Sequence, residues 1–197
     1  MGTRSPVTMV MVDGPAGKEL RIRPAHSFGS RTMTSSFPSR IYLLRHAKSG
    51  WAQPGERDFD RPLDGEGFAE AELVAEKAAD RGYRPERVIS STAVRCRQTA
   101  EAVRRAIDED LELAFVDDLY NAPVDVYLEL LSSNGSAGSL MLIGHNPTIE
   151  EAMERLIGAD EAAGAIPMGY PTAGLAVLDR PGEPTGPHWR LIDFLTA

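Results

Sequence analysis

Two short apolar runs, about a hundred residues apart, each end at a histidine. Residues 41–44 are followed by Arg45 and His46, and residues 140–144 are followed by His145. Runs of this length and composition are typical of buried strands. Open α/β sheets bind their ligands at the carboxyl ends of their strands. We therefore predict that both histidines lie at one edge of a sheet.

The rest of the chain alternates strand and helix patterns. A helix is expected between Asp64, as its N-cap, and Gly82, which would end it. Asn146 and Pro147 are expected at the N-cap and first position of a later helix that runs to Ile157. We predict a three-layer α/β/α sandwich with a mostly parallel central sheet and an antiparallel edge. The other predicted elements are strands at 87–90, 112–116, 172–179 and 188–194 and helices at 93–107 and 123–131, with Ser91 or Thr92 as the cap of the first of these two helices.

Residues 1–38 differ in composition from the remainder. They hold five Lys or Arg residues against two acidic residues, with no sustained hydrophobic period. We expect a flexible extension, either disordered or the product of a gene start placed too early, with Met33 as the initiator. Residues 39–197 then form one domain. Within it, we expect residues 49–61 to form a surface loop over the first strand end, and residues 158–171 a long loop suited to covering a site.

Charge and cysteine content exclude several classes of function. The net charge of −8 argues against nucleic-acid or membrane partners. The single cysteine, Cys96, excludes an internal disulfide and a zinc cluster, which fits a reducing, cytoplasmic location. We expect Cys96 to be a small buried helix residue. No apolar run approaches the roughly 20 residues of a membrane span, and we expect a monomer.

Four cationic or titratable side chains suggest phosphate chemistry. Arg45 and Arg95 carry planar guanidinium groups, which bind phosphate oxygens bidentately. Arg95 lies near the start of a predicted helix, where backbone N–H groups favour an anion. An imidazole such as that of His46 or His145 is a competent nucleophile near neutral pH. These residues permit phosphoryl transfer through a covalent intermediate, without a metal or another cofactor.

Several motifs in this order resemble the histidine phosphatase superfamily, also called phosphoglycerate-mutase-like, and its short SixA-type phosphohistidine phosphatase branch. The resemblance covers the chain from about Arg40 to its end. The motifs are Arg45-His46-Ala47-Lys48-Ser49, Arg61-Pro62-Leu63, Ser90 followed by Arg95-Cys96-Arg97-Gln98-Thr99-Ala100-Glu101, and Gly144-His145-Asn146-Pro147.

The resemblance implies a role for each of the four residues. His46 is expected to be the phosphorylated nucleophile, Arg45 and Arg95 the phosphate clamps, and His145 the second histidine of the pocket. The superfamily usually adds an acidic proton donor, which the SixA-like branch commonly lacks. Asp117 or Asp118 lies in about the region expected for this proton donor, but the surrounding pattern does not match the usual glutamate motif. A weak or missing donor favours nitrogen–phosphorus substrates over alcohol esters.

Other residues leave alternatives open. Lys48, Arg61 and Asn146 are candidates for the rim of the phosphate pocket, although the two cations are equally explained as surface charges. Arg97 competes with Arg95 for the role of second clamp, and the motif register favours Arg95. His26 and His188 have no partners at metal-ligand spacing, so no metal site is expected.

We therefore expect a metal-independent phosphatase that hydrolyses phosphohistidine or related phosphoramidates through a covalent intermediate on His46. Its substrate would be a phosphorylated protein or a small phosphorylated molecule. Two alternatives are a broad small-molecule phosphomonoesterase and a non-catalytic phosphate-binding module.

Overall fold

The computed structural model describes two strands near the amino terminus, residues 37–181 and residues 189–197. The chain divides into two compact units, 1–34 and 35–197. In the first unit, β1 (Met9–Gly14) pairs antiparallel with β2 (Gly17–Ile22). This hairpin was not predicted from the sequence, and the flexibility of residues 1–38 stays a prediction. His26, Met33 and His188 lie outside the described residues.

The described part of the second unit contains a six-stranded mixed sheet. Its strands are β3 (Arg40–Arg45), β4 (Arg87–Ser91), β5 (Leu113–Val116), β6 (Ser139–Gly144), β7 (Leu175–Asp179) and β8 (Arg190–Leu195). Their spatial order is β5, β4, β6, β3, β7 and β8. The first four run parallel to one another, β7 pairs antiparallel with β3, and β8 pairs antiparallel with β7. The predicted mostly parallel sheet with an antiparallel edge is thus confirmed.

Helices cover both faces of this sheet. Tyr42 and Leu44 of β3 pack in a core with α1 (Gly65–Asp80) and α2 (Val94–Ile107). Ile41 and Leu43, which alternate with them, pack in a second core with α3 (Val124–Ser133) and α4 (Thr148–Ile157). Successive side chains of a strand point to opposite faces, so a strand buried on both sides reads as a continuous apolar run. The result is the predicted three-layer sandwich.

Helix α5 (Ala159–Ala165) corrects the prediction of a long irregular loop over residues 158–171. Its buried Ala162 belongs to the α3–α4 core. Seven residues are too few for a hydrophobic period to be visible in the sequence. None of the described helices is both long and apolar enough to cross a membrane.

Two helix starts also differ from the prediction. Asp64 does cap α1, because its side chain accepts a hydrogen bond from the backbone N–H of Gly67. Helix α4, however, begins at Thr148 with Pro147 as its N-cap, and Oδ1 of Asn146, the atom that would cap a helix, accepts no hydrogen bond from the described residues. Helix α2 has Ala93 as its N-cap rather than Ser91 or Thr92.

Candidate active site

The two histidines lie next to each other at the carboxyl edge of the sheet. Strands β3 and β6 are parallel neighbours, with Arg45 opposite Gly144. The residue after each strand is therefore placed at the same height, and the His46 and His145 ring centroids are 5.2 Å apart. The backbone N–H of His46 donates to the carbonyl of Gly144 over 3.0 Å. The parallel register thus brings together two residues that are 99 positions apart in the chain.

The Nε2 atom of His46 is the unprotonated nitrogen of its ring. Nδ1 lies 2.8 Å from the Ala47 carbonyl, to which it can only donate. Nε2 lies 3.2 Å from Nε of Arg95, a group that is always a donor, so Nε2 accepts. Burial lowers the pKa of His46 to about 3, and the nearby charges of Arg95 and Arg45 act in the same direction. His46 is therefore neutral at physiological pH, with an unprotonated Nε2 that lies against Arg95.

His145 has the opposite tautomer. Its Nδ1 accepts from Nη2 of Arg95 over 3.3 Å, and its Nε2 therefore donates to Oγ of Ser91 over 2.9 Å. Burial lowers the pKa of His145 to about 4, with a further contribution from the charge of Arg95. Both imidazoles are therefore neutral at physiological pH, and Arg95 donates to both rings.

Arg95 is the buried centre of the site. It lies on the first turn of α2, and its side chain is only 5% exposed. Its Nη1 donates to the backbone carbonyl of Asp58, and its Nη2 donates to the Asp58 carboxylate. Arg97, two residues later, turns elsewhere: its Nε donates to the carbonyl of Thr92 and its guanidinium lies over the Phe115 ring. The geometry thus brings Arg95 to the histidines, whereas Arg97 contacts the strand below α2.

Arg45 contributes a donor without a partner. Its Nη1 donates to the carbonyl of Tyr170 over 2.5 Å, but its Nε is buried with no hydrogen-bond partner among the described residues. The Oδ1 of Asn146 is likewise buried and unpaired within the described part of the chain. A buried cationic donor left unpaired costs free energy, so such an atom indicates where a ligand oxygen would bind.

These groups surround a cavity of about 430 Å³. The three residues predicted for its rim, Lys48, Arg61 and Asn146, all line it. Lys48 forms an ion pair with Glu66, and Arg61 bonds to Ser49 and Asp58. The full lining of the cavity consists of Arg45, His46, Lys48, Ser49, Trp51, Asp58, Arg61, Arg95, Asn121, His145, Asn146 and Thr172.

Comparison with known proteins identifies the family. The model of the histidine phosphatase superfamily (branch 1) matches residues 41–122. A candidate phosphohistidine phosphatase SixA from Agrobacterium tumefaciens, known from a crystal structure, is 53% identical in sequence to this chain. The two structures match with a TM-score of 0.76, over 81% of this chain and 98% of that chain. The chain belongs to the histidine phosphatase superfamily. Within this superfamily the chain is a SixA-type member, and it is a phosphatase.

Two further proteins are also similar to this chain. A SixA candidate from Nakamurella multipartitia is 26% identical, with a TM-score of 0.62 over 79% of this chain and 94% of that chain. An uncharacterised chloroplastic protein of Arabidopsis thaliana is 34% identical over 148 residues, which are 70% of this chain and 67% of that protein.

Asp58 is the charged site residue that was not predicted from the sequence of this histidine phosphatase; the uncharged Trp51, Asn121 and Thr172 also line the cavity without having been predicted. It begins the short 3₁₀ helix Asp58–Asp60 and lines the cavity. Partial burial works to raise the pKa of its carboxyl, but hydrogen bonds from Arg61 and Tyr120 and the charge of Arg95 outweigh it and lower that pKa to about 2. Its position three residues before Arg61 in a charged run was the only available signal.

Asp118, the predicted general acid, does not line the cavity. It lies exposed on the 3₁₀ helix Asp117–Leu119. Leu119 is fully buried there, which leaves the two aspartates before it on the outside of the protein. The role of Asp118 as a proton donor stays a prediction that this geometry does not favour.

Two expectations concern cysteine and metal chemistry. Cys96 is fully buried, and burial raises the pKa of its thiol to about 12, so the thiolate nucleophile is not formed at neutral pH. Among the described residues, no three His, Cys, Asp or Glu side chains are grouped so as to hold a metal ion.

The depressed histidine pKa values predict a loss of stability in mild acid. Between the ordinary pKa of 6.5 and the folded values of about 3 and 4, His46 and His145 bind protons in the unfolded chain but not in the folded protein. Their contribution to the free energy of unfolding is thus fully present above pH 6.5 and is lost as the pH falls below that value. We expect each histidine to account for about 2 kcal/mol of the loss between pH 7 and pH 5.

Urea unfolding at the two pH values, in phosphate-free buffer, measures this loss. The His46→Asn variant should lose about 2 kcal/mol less than the wild type over the interval, because asparagine does not titrate. An equal loss in both proteins would mean that His46 titrates normally in the folded state.

Proposed function

We propose that this phosphatase hydrolyses phosphohistidine or a related phosphoramidate, without a metal ion, through a covalent phosphoryl intermediate on His46. One observation carries the proposal. Arg95 is hydrogen-bonded to Nε2 of His46 and to Nδ1 of His145, in a cavity that Arg45 also lines and where the buried Nε of Arg45 has no partner among the described residues. Two imidazoles and two guanidinium groups therefore converge on a space large enough for a phosphoryl group.

The two arginines are suited to neutralising the charge of the phosphoryl group. A phosphoryl group brings about two negative charges, which must be balanced before a nucleophile can approach phosphorus. Arg45 offers its unpaired Nε, and Arg95 offers N–H groups that now contact Asp58. Because guanidinium groups rather than a cluster of carboxylates face the cavity, the charge balance does not call for a metal ion.

The tautomers of the histidines suit different roles. His46 is neutral, and its Nε2 carries the lone pair that a nucleophile needs, while the bond from Nδ1 to Ala47 fixes its ring. That lone pair accepts from Nε of Arg95, a bond that a phosphoryl group bound to Arg95 would replace. A bound dianion would favour the protonated form of His145, whose Nδ1–H could then donate to a phosphoryl oxygen. Water would hydrolyse the resulting phosphohistidine in the second step.

The state of Asp58 supports a nitrogen–phosphorus substrate. An alcohol ester needs a proton for its leaving oxygen, but the carboxyl of Asp58 has a pKa of about 2 and is ionised. When the nitrogen–phosphorus bond of a protonated phosphoimidazole breaks, the leaving group is a neutral imidazole, which needs no such donor. The 53% identical Agrobacterium tumefaciens protein, described as a candidate phosphohistidine phosphatase, points to the same substrate class. A phosphorylated protein or a small phosphoramidate would fit.

Substrate preference tests the proposal. In EDTA, we expect kcat/KM for a phosphohistidine-bearing protein and for phosphoramidate to exceed that for an alkyl ester, glycerol phosphate, by at least about 100-fold, the usual contribution of a general acid, because an alkoxide needs a proton to leave. A preference for the ester would select a broad phosphomonoesterase instead. Absence of phosphate release from every substrate would select a phosphate-binding module, and loss of activity in EDTA would contradict metal independence.

A further inference from the structure

A carboxylate stands at the mouth of the phosphate cavity. The side chain of Asp58 is 52% exposed, whereas that of Arg95 is 5% exposed and both pocket histidines are buried. A phosphoryl group held between Arg45, Arg95 and His46 would therefore lie deeper than Asp58. Because the nucleophile approaches from the buried side, the leaving group would point outward, toward this carboxylate.

The carboxylate is held in place by three side chains from separate parts of the chain. Nε of Arg61 donates to Oδ1 over 2.8 Å, and the Tyr120 hydroxyl donates to Oδ2 over 2.9 Å. Nη2 of Arg95 also donates to Oδ2, over 3.0 Å. These bonds fix the position of Asp58 and keep it ionised, which distinguishes it from an ordinary solvated aspartate.

A fixed negative charge here conflicts with simple phosphate binding. Asp58 and a bound phosphoryl group would share the donors of Arg95, and their like charges would repel each other. The arrangement is favourable if the substrate supplies a positive charge between the two anions. A phosphoimidazole protonated on its second nitrogen has such a charge, on an N–H that points away from phosphorus.

We propose that the Asp58 carboxylate recognises the leaving imidazole of the substrate by accepting a hydrogen bond from its N–H. This inference rests on the proposed phosphohistidine hydrolysis. The lone pair of His46 Nε2 forms the new nitrogen–phosphorus bond while the substrate's nitrogen–phosphorus bond breaks. The electron pair of the broken bond stays on the departing nitrogen, so a neutral imidazole leaves with its N–H still on Asp58. No proton is transferred in this step.

The same carboxylate would act against oxygen esters. An ester brings no N–H and no positive charge, and its departing oxygen becomes negative close to Asp58. Asp58 would thus raise the selectivity for nitrogen–phosphorus over oxygen–phosphorus substrates by both effects. Asparagine at this position keeps the shape and an acceptor oxygen for Arg95 but removes the charge.

Two small substrates, phosphoimidazole and phenyl phosphate, test the inference on the Asp58→Asn variant. We expect kcat/KM for phosphoimidazole to fall about 10- to 100-fold, the range of a hydrogen bond to a charged group, while that for phenyl phosphate stays the same or rises. If Asp58 merely orients Arg95, both values will fall by the same factor, which would overturn the inference.

Asp60 offers a matched control on the same 3₁₀ helix. It pairs with Arg57 and does not line the cavity. Asp60→Asn should leave both kcat/KM values and their ratio unchanged, and a ratio that falls as in Asp58→Asn would also contradict the inference. Failure of the wild type to hydrolyse phosphoimidazole would overturn the proposed function, and this inference with it. Wild-type hydrolysis with an unchanged ratio in Asp58→Asn would overturn this inference alone.

Discussion

Replacement of His46 by asparagine should reduce kcat/KM for phosphohistidine by about 10⁴-fold or more, the loss seen when a covalent nucleophile is removed. Nε2 of His46 carries the imidazole lone pair and lies against the Nε donor of Arg95, whereas asparagine has no nucleophilic nitrogen. The fold should persist, because the substitution removes a titrating ring without adding volume. Steady-state phosphate release and circular dichroism measure the two quantities.

A trapping experiment identifies the nucleophile directly. Wild-type protein mixed with phosphoramidate and quenched in alkali should carry a phosphoryl group on His46 that is lost in acid, and mass spectrometry locates it. His46→Asn should carry none. The control is Arg97→Ala, which should label like the wild type. Phosphate on another residue, or equal turnover by His46→Asn and the wild type, would contradict the assignment of the nucleophile.

Replacement of Arg95 by alanine should lower kcat/KM by about 10³-fold. Arg95 donates to both histidines, so its loss removes a phosphate ligand and the link that orients the two rings. Removal of a fixed positive charge from a buried site affects the transition state more than the substrate complex, so we expect kcat to fall more than KM rises. Arg95→Lys should recover little activity, because an ammonium group cannot reproduce the planar fork.

Arg97 is the control for Arg95 on the same helix. Its guanidinium lies over the Phe115 ring, 4.3 Å from the centroid, and does not line the cavity. Arg97→Ala should therefore keep kcat/KM within about threefold of the wild type, since surface substitutions away from a site have small effects. A larger loss in Arg97→Ala than in Arg95→Ala would show that Arg97 is the phosphate ligand.

Local patterns were sufficient to predict the layers of the fold. Continuous apolar runs at residues 41–44 and 140–144 identified the central strands, and the Asp64 cap and Gly82 stop identified α1. Such features depend on neighbouring residues, so they are visible in the sequence. Helix α5 was not visible, because a seven-residue segment packs through one buried alanine and has no readable period.

The sequence by itself determined the fold class and the sheet edge at which His46 and His145 lie, since parallel strands end at the same edge of a sheet. The two histidines meet because β3 and β6 are neighbours in that sheet, which the tertiary structure decided. Only the tertiary structure decided which acidic residue stands at the cavity. Asp58 is held there by Arg61, Tyr120 and Arg95, which come from different segments of the chain. The neutrality of the two imidazoles is likewise a tertiary property, because burial, which lowers both pKa values, exists only after the layers have packed.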